Sequence, residues 1–294
     1  MSNLSIIGKR KIFLSISAVL VGVSIIALFL WGLNFGIDFT GGALLELKFS
    51  ESAPSANELR EELQDLNINS LMVQSTDDNS AIFRFKDESR ETYNAIIEKL
   101  SQKNSFEELR YDVVGPAAGK DLKSKSFNSI IIVLIIIILY IAFVFRKVSR
   151  PVSSWKYGIA AIIALVHNII IVLGVFAFLG KFYGTEINIP FIAAILTVLG
   201  YSVNDTIVIF DRIRENLPKS SDNFIGTVGR SLNQSLTRSI NTSFTTLLVL
   251  IAIIVFGGDS IREFVLVLAI GIFVGTYSSI CVASPILIMF NKKK

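Results

Sequence analysis

Six long apolar runs divide the chain, and each is long enough to cross a bilayer as a helix. A helix rises about 1.5 Å per residue, so about 20 apolar residues span a hydrocarbon core of roughly 30 Å. The runs are Ile12–Leu33, Phe127–Phe145, Tyr157–Gly180, Ile187–Phe210, Ile240–Gly258 and Phe264–Phe290. The pattern predicts an α-helical polytopic membrane protein, with transmembrane helix 1 at residues 12–33 and helices 2–6 within residues 127–290.

Residues 38–125, between the first two runs, show short alternating patterns instead. The predicted strands are Ala43–Phe49, Ser70–Ser75, Ala81–Lys86 and Leu109–Val114, with a turn at Asp77-Asp78-Asn79. The predicted helices are Ser55–Leu66, opened by a capping box of Ser55 and Glu58, and Arg90–Lys103. The order β-α-β-β-α-β is that of a ferredoxin-like unit, so we predict one α+β domain between helices 1 and 2.

Charge is distributed unevenly between the insert and the apolar body. Residues 38–125 contain 17 acidic and 11 basic residues, whereas the rest contains 7 acidic and 17 basic. One set of short loops and termini carries 15 basic residues, and the opposite side carries five even when Lys120, Lys123 and Lys125 are counted. The positive-inside rule therefore predicts cytoplasmic termini and an exterior insert. Because the basic residues lie beside apolar spans, they indicate a lipid bilayer and not nucleic acid as the partner.

Several other classes of protein are disfavoured. The first run could be a cleaved signal peptide, but its 22 residues exceed the usual length of roughly 7–15 and no small-residue cleavage site follows. The chain has one cysteine and one histidine, which excludes an intramolecular disulfide and a zinc site built from these residues. No motif supports an enzymatic role, so we expect no metal and no cofactor.

Asp205 is an ionisable residue inside the fourth run, with Ser202, Asn204 and Thr206 beside it. Charged groups at this depth are costly and usually mark ion pathways, so Asp205 is the candidate functional residue. The alternative is a structural Asp that pairs with a cation or hydrogen-bonds a neighbouring helix. Burial and a nearby cation have opposite effects on a carboxyl group, so the sequence leaves its charge open.

Arg238, at the start of the fifth run, is the best candidate partner for Asp205. Hydroxyl and amide groups follow it, including Asn241, and could support a path for water or protons. Alternatively, Arg238 extends to the lipid headgroups as a positive-inside anchor. His167 and Asn168 lie near the middle of the third run, where a lone histidine is more often a packing residue.

Three stretches of the chain resemble the SecF members of the SecD/SecF family of bacterial protein-export subunits, within the resistance-nodulation-division superfamily. They are Leu33–Gly42, which contains the turn residues Gly36, Asp38, Gly41 and Gly42, then Val114-Gly115-Pro116, and Gly200–Asn216. The resemblance extends over essentially the whole chain. One departure is His167-Asn168, where the family often has His-Asp.

The resemblance implies a function and a set of partners. It implies pairing with SecD, work with the SecYEG channel, SecA and YajC, and use of the proton motive force to assist export of polypeptides across the bacterial cytoplasmic membrane. It also implies that Asp205 and Arg238 belong to the proton path. Two rivals stay open: half of a proton-driven drug or lipid exporter of the same superfamily, and a passive scaffold of the channel.

Overall fold

The computed structural model describes residues 6–51, 53–76, 79–146, 152–257 and 259–291. The predicted Asp77-Asp78 turn residues and the basic residues Lys147, Arg150 and Lys292–Lys294 lie outside this range. The chain forms two compact units. The first comprises residues 1–34, 129–186 and 190–294, and the second comprises residues 35–128 and 187–189.

Within the described residues, six helical segments are long and apolar enough to cross a membrane, which confirms the predicted number. They are α1 (Arg10–Trp31), α5 (Pro116–Val144), α6 (Ser154–Tyr183), α7 (Ile189–Asn216), α8 (Phe224–Phe256) and the segment Ile261–Met289. The sixth span is not one α-helix. It consists of α9 (Asp259–Ser278), a π-helical turn at Ser279–Ala283 and α10 (Ser284–Met289).

Small residues allow close approach between helices of the first unit. A Cβ atom on Gly174 of α6 would lie 2.3 Å from Ser24 Cβ of α1. A Cβ atom on Gly271 of α9 would lie 2.4 Å from Val198 Cγ2 of α7. Since such distances are far inside van der Waals contact, both positions require glycine at this helix spacing.

The second unit contains a small antiparallel sheet, as predicted, with strands in the order β2-β3-β1-β4. The strands are β1 (Gly42–Phe49), β2 (Met72–Ser75), β3 (Ser80–Phe85) and β4 (Phe106–Val114). The helices are the short α2 (Ile37–Thr40), α3 (Ala56–Glu62) with the 3₁₀ turn Gln64–Leu66, and α4 (Arg90–Ser101). Buried apolar residues alternate along β1 and β3 and pack against Leu59, Ile96 and Leu100 of the helices. Both halves of the predicted capping box are present at Ser55 and Glu58.

Most boundaries differ from the sequence-based expectation. The largest shifts are at the starts of α5 and α8, which begin at Pro116 and Phe224 and not at Phe127 and Ile240. Two smaller shifts result from pairing with distant residues. The fourth span begins at Ile189 and not at Ile187, because Ile187 forms a parallel β-bridge with Phe35. Strand β4 begins at Phe106 and not at Leu109, because its first residues pair with Lys48 and Phe49 of β1.

Candidate functional site

Asp205 lies on α7, and its side chain is held by a hydroxyl group of α8. The Ser239 Oγ donates a hydrogen bond to Asp205 Oδ1. The other oxygen, Oδ2, is buried and has no hydrogen-bond partner among the described residues. One oxygen of the carboxyl group is thus fixed by a neutral donor, and the other is available to a proton or to a group that moves toward it.

The neighbours of Asp205 connect α7 to the sixth span. The hydroxyl oxygens of Thr206 and Ser279 are 2.8 Å apart, and Ser279 is the first residue of the π-helical turn. Thr206 also donates to the carbonyl oxygen of Ser202, at 3.1 Å. Turns with π geometry occur frequently at functional sites, and here the turn presents a hydroxyl to the residue next to Asp205.

A second set of polar contacts connects α7 to α6. Asn168 Nδ2 donates to Ser202 Oγ at 2.9 Å, and Asn168 Oδ1 lies 3.1 Å from His167 Nδ1. Both residues are buried, and His167 Nε2 has no hydrogen-bond partner in the described part of the chain. Polar groups from four helical segments therefore meet around residues 202–206 of α7.

The predicted supporting residues fall into two groups. Ser202 and Thr206 are buried and form the contacts just described. Asn204 and Asn241 are exposed, and neither side chain forms one of these contacts. Arg238 is also exposed, and its guanidinium does not form an ion pair with Asp205 in this arrangement of the described residues.

Four residues of this cluster were not selected as site residues by sequence reasoning: Ser239, Ser279, His167 and Asn168. A signal for Ser239 is present in the sequence. Small hydroxyl residues recur every four positions along α8, and all of them are buried: Thr227, Ser231, Ser235, Ser239 and Ser243. A spacing of four places them on one helix face, which identifies the side that contacts α7.

The turn residues Gly36, Asp38, Gly41 and Gly42 lie together in the second unit around α2. Gly41 and Gly42 have φ angles of +75° and +135°, which L-residues with a Cβ atom rarely adopt. A Cβ atom on Gly42 would also lie 2.5 Å from the carbonyl oxygen of Phe85. Asp38 Oδ2 accepts a hydrogen bond from the Ile189 amide at 2.9 Å.

No group of three or more His, Cys, Asp or Glu side chains in the described ranges could hold a metal ion. In the described part of the chain, six apolar helical spans with a carboxyl group bonded to a hydroxyl, together with a small antiparallel sheet, define a multi-pass membrane protein with a polar site. Two family models match the chain: "Protein export membrane protein SecD/SecF, C-terminal" at residues 93–293, and "SecD/SecF GG Motif" at residues 26–53. The chain belongs to the SecF family of protein translocase subunits.

Individual relatives agree with this assignment. The chain is 40% identical to the protein translocase subunit SecF of Thermobaculum terrenum, over 99% of this chain and 95% of the relative. A crystal structure of SecDF from Thermus thermophilus, described as a translocon-associated membrane protein, superposes with a TM-score of 0.88 at 32% identity. It covers 99% of this chain, and this chain spans 39% of that longer one. A SecDF structure in a super-membrane-facing form gives a TM-score of 0.66 at 33% identity, covering 96% of this chain and 38% of that one.

Proposed function

We propose that this chain acts with a SecD partner to use inward proton flow to assist the export of polypeptides across the bacterial cytoplasmic membrane. The observation that carries the proposal is the Asp205 carboxyl group, which lies in a membrane-spanning helix with one oxygen bonded to Ser239 and the other without a partner. Carboxyl groups at this depth usually serve ion movement, and this one retains an oxygen that can take up and release a proton.

The SecD partner is supported by the SecDF structures, in which a chain more than twice as long contains a region similar to this one. The name of the Thermobaculum relative and the description of SecDF as translocon-associated support work beside the SecYEG channel. SecA, YajC and the exported polypeptide complete the proposed set of partners.

We also propose that both termini are cytoplasmic and that residues 38–125 form an exterior ferredoxin-like domain. The support for the orientation is the excess of basic residues in the loops assigned to the cytoplasm. The support for the domain class is its order β1-α3-β2-β3-α4-β4 with an antiparallel sheet in the order β2-β3-β1-β4.

In the proposed mechanism, the Asp205 carboxyl group changes its partner from the Ser239 hydroxyl to the Arg238 guanidinium. Ser239, a neutral donor, contacts the carboxyl group, while the adjacent Arg238 is exposed. Neighbouring residues on a helix point about 100° apart, so rotation of α8 about its axis would replace the hydroxyl with the guanidinium. A carboxyl group beside a neutral donor and one beside a cation differ in their affinity for a proton, so the rotation couples proton binding to helix movement.

Substitution at Asp205 tests this function. Asp205→Asn removes the titratable group and should abolish the stimulation of export by a proton gradient, while Asp205→Glu should retain part of it. Arg238→Met should reduce the stimulation more than Arg238→Lys, because lysine keeps the charge. The measurement is export of a secreted substrate in inverted membrane vesicles, with and without the gradient, for each variant.

The matched control is Asp211→Asn on the same helix, because the Asp211 carboxylate is 40% exposed and pairs with Arg214 at 2.6 Å. This variant should keep the stimulation. If Asp205→Asn is stimulated as strongly as the unmodified protein, the chain is a passive scaffold in which Asp205 is a structural residue. Co-purification of a drug or lipid efflux partner in place of SecD would support the exporter alternative.

A further inference from the structure

The segment from Phe35 to Gly42 contacts the start of α7 through backbone and side-chain hydrogen bonds. Phe35 and Ile187 form a parallel β-bridge, and the Gly36 amide donates to the Ile187 carbonyl oxygen at 2.9 Å. The Asp38 carboxylate then accepts from the Ile189 amide, also at 2.9 Å. All these residues belong to the second compact unit, together with the sheet.

The same segment is fixed against the start of α5. A Cβ atom on Gly41 would lie 2.8 Å from the Cα atom of Pro116, the first residue of α5. A Cβ atom on Gly119 would lie 3.0 Å from the Gly41 nitrogen and 3.1 Å from the Phe39 carbonyl oxygen. There is thus no free space between α2 and the first turn of α5, and the glycines permit this packing.

The Asp38 carboxylate is a suitable hydrogen-bond acceptor for the first backbone amide of α7. The first amides of a helix have no partner within the helix, and carboxylates are preferred partners at this end. Ile189 is the first residue of α7, and Pro190 after it has no N–H group. The Ile189 amide therefore needs an acceptor from outside the helix, and Asp38, 151 positions earlier in the chain, supplies it.

We propose that Asp38 is a positioning residue that joins the sheet domain to α7, so that movement of one is passed to the other. Asp38 lies in α2, which leads through Gly41 directly into β1. Asp205 lies 16 residues after Ile189 on the same helix, about 24 Å along its axis. The α-helix is continuous between these two residues. The inference rests on the proposed role of Asp205. It also gives the turn at Gly41-Gly42 a part in that role.

Three variants at position 38 separate the hydrogen bond from the charge. Asp38→Ala removes the acceptor, and loss of such a cap lowers the equilibrium constant for the joined state about fivefold. Gradient-stimulated export from inverted vesicles should fall, by up to about this factor. Asp38→Asn keeps an acceptor oxygen that caps helices as well as Asp does, so it should retain most of the stimulation. Asp38→Glu, with a longer side chain, should fall between these two.

Hydrogen–deuterium exchange supplies a readout that does not depend on export. In the purified complex with SecD, the peptide that spans residues 187–193 should exchange faster in Asp38→Ala than in the unmodified protein, and Asp38→Asn should not differ. The matched control is Asp121→Ala in α5, whose carboxylate is 59% exposed and pairs with Lys125 at 2.7 Å. That variant should change neither export nor exchange at residues 187–193.

A covalent replacement tests the joining role directly. Phe35→Cys and Ile187→Cys place two thiols on neighbouring positions of a parallel bridge, a spacing that a disulfide can span. In an Asp38→Ala background with Cys281→Ala, oxidation of this pair should restore gradient-stimulated export, and reduction should remove it again. The disulfide experiment also tests the proposal if the Asp38→Ala protein assembles poorly on its own.

The outcomes distinguish this inference from the proposed function. Unchanged export and exchange in Asp38→Ala would overturn the inference, and so would equal losses in Asp38→Ala and Asp38→Asn, or a failure of the disulfide to restore export. If Asp205→Asn keeps full stimulation, the proposed function fails. The exchange result then still decides whether Asp38 joins the domain to α7.

Discussion

At the scale of single residues, the polar site depends on which side of α8 faces α7. Ser239 contacts the Asp205 carboxyl group, whereas the adjacent Arg238 is exposed. The contrast between these neighbours makes the hydroxyl, and not the guanidinium, the present partner of Asp205. The participation of Arg238 in a proton path stays a prediction that requires a second orientation of α8.

We expect Ser239→Ala to reduce gradient-stimulated export roughly two- to tenfold, because it removes one hydrogen bond to the Asp205 carboxyl group. Ser239→Thr keeps the hydroxyl and should retain more activity. The control is Ser235→Ala, one turn earlier on the same buried face. Equal losses in Ser239→Ala and Ser235→Ala would indicate a general packing defect of α8 and would remove the specific role of Ser239.

Sequence reasoning could identify Asp205 but not its contacts. A carboxylate in an apolar run is visible in the sequence alone, since the run contains no other Asp, Glu, Lys, Arg or His. Its hydrogen bond to Ser239 depends on the rotation of α8, and Arg238 and Ser239 differ by one position only. The hydroxyl residues that recur every four positions along α8 could have shown which side of this helix faces α7. That conclusion requires the assumption that the recurring residues mark a buried helix face.

At the scale of elements, the small sheet has its own apolar core. Leu45 and Leu47 of β1 and Phe83 and Phe85 of β3 are essentially inaccessible to solvent, and α3 and α4 contribute Leu59, Ile96 and Leu100. The core lies entirely within the second unit. This arrangement favours independent folding of the domain, because the apolar residues of its strands find partners within the domain itself.

We predict that residues 40–122, expressed alone, fold cooperatively into an α/β domain. Leu45→Ala should then lower its free energy of unfolding by about 2–5 kcal/mol, because Leu45 is fully buried. Leu109→Ala on β4 is the control, since Leu109 is 48% exposed and should cost far less. Thermal and urea unfolding followed by circular dichroism measures both. A disordered spectrum of the unmodified fragment would show that the domain needs the membrane helices or SecD to fold.

Some element boundaries were predictable from local pattern, and others depend on distant partners. The capping box of Ser55 and Glu58 is a local signal and is present. The start of α7 moved to Ile189 because Ile187 pairs with Phe35, which is 152 positions away in the chain. The conformations of Gly41 and Gly42 also depend on distant residues, because Pro116 and Phe85 of other elements lie against them.

At the scale of the whole molecule, the charge distribution and the six spans lead to one prediction of orientation. Asn57 lies exposed in α3 of the sheet domain, and Ser221 lies exposed in the loop between α7 and α8. The positive-inside rule assigns the first to the exterior and the second to the cytoplasm. Cysteine labelling can test this assignment because the chain contains one other cysteine, the buried Cys281.

In intact cells, a membrane-impermeant thiol reagent should label Asn57→Cys and leave Ser221→Cys unlabelled, both in a Cys281→Ala background. After the cells are opened, both positions should be labelled, which controls for accessibility. Labelling of Ser221→Cys alone in intact cells would show that the orientation is the opposite of the predicted one. The direction of the proposed proton flow would then be wrong as well.

The π-helical turn at Ser279–Ala283 affects how the sixth span can be compared with other helices. A π-helical turn contains an extra residue, so the helical wheel after the turn is offset by about 100° from the one before it. A single wheel drawn from Ile261 to Met289 would therefore assign the wrong lipid-facing side to one half. An alignment gap of one residue at this turn would be structurally neutral, whereas the same gap elsewhere in the span would rotate every following side chain.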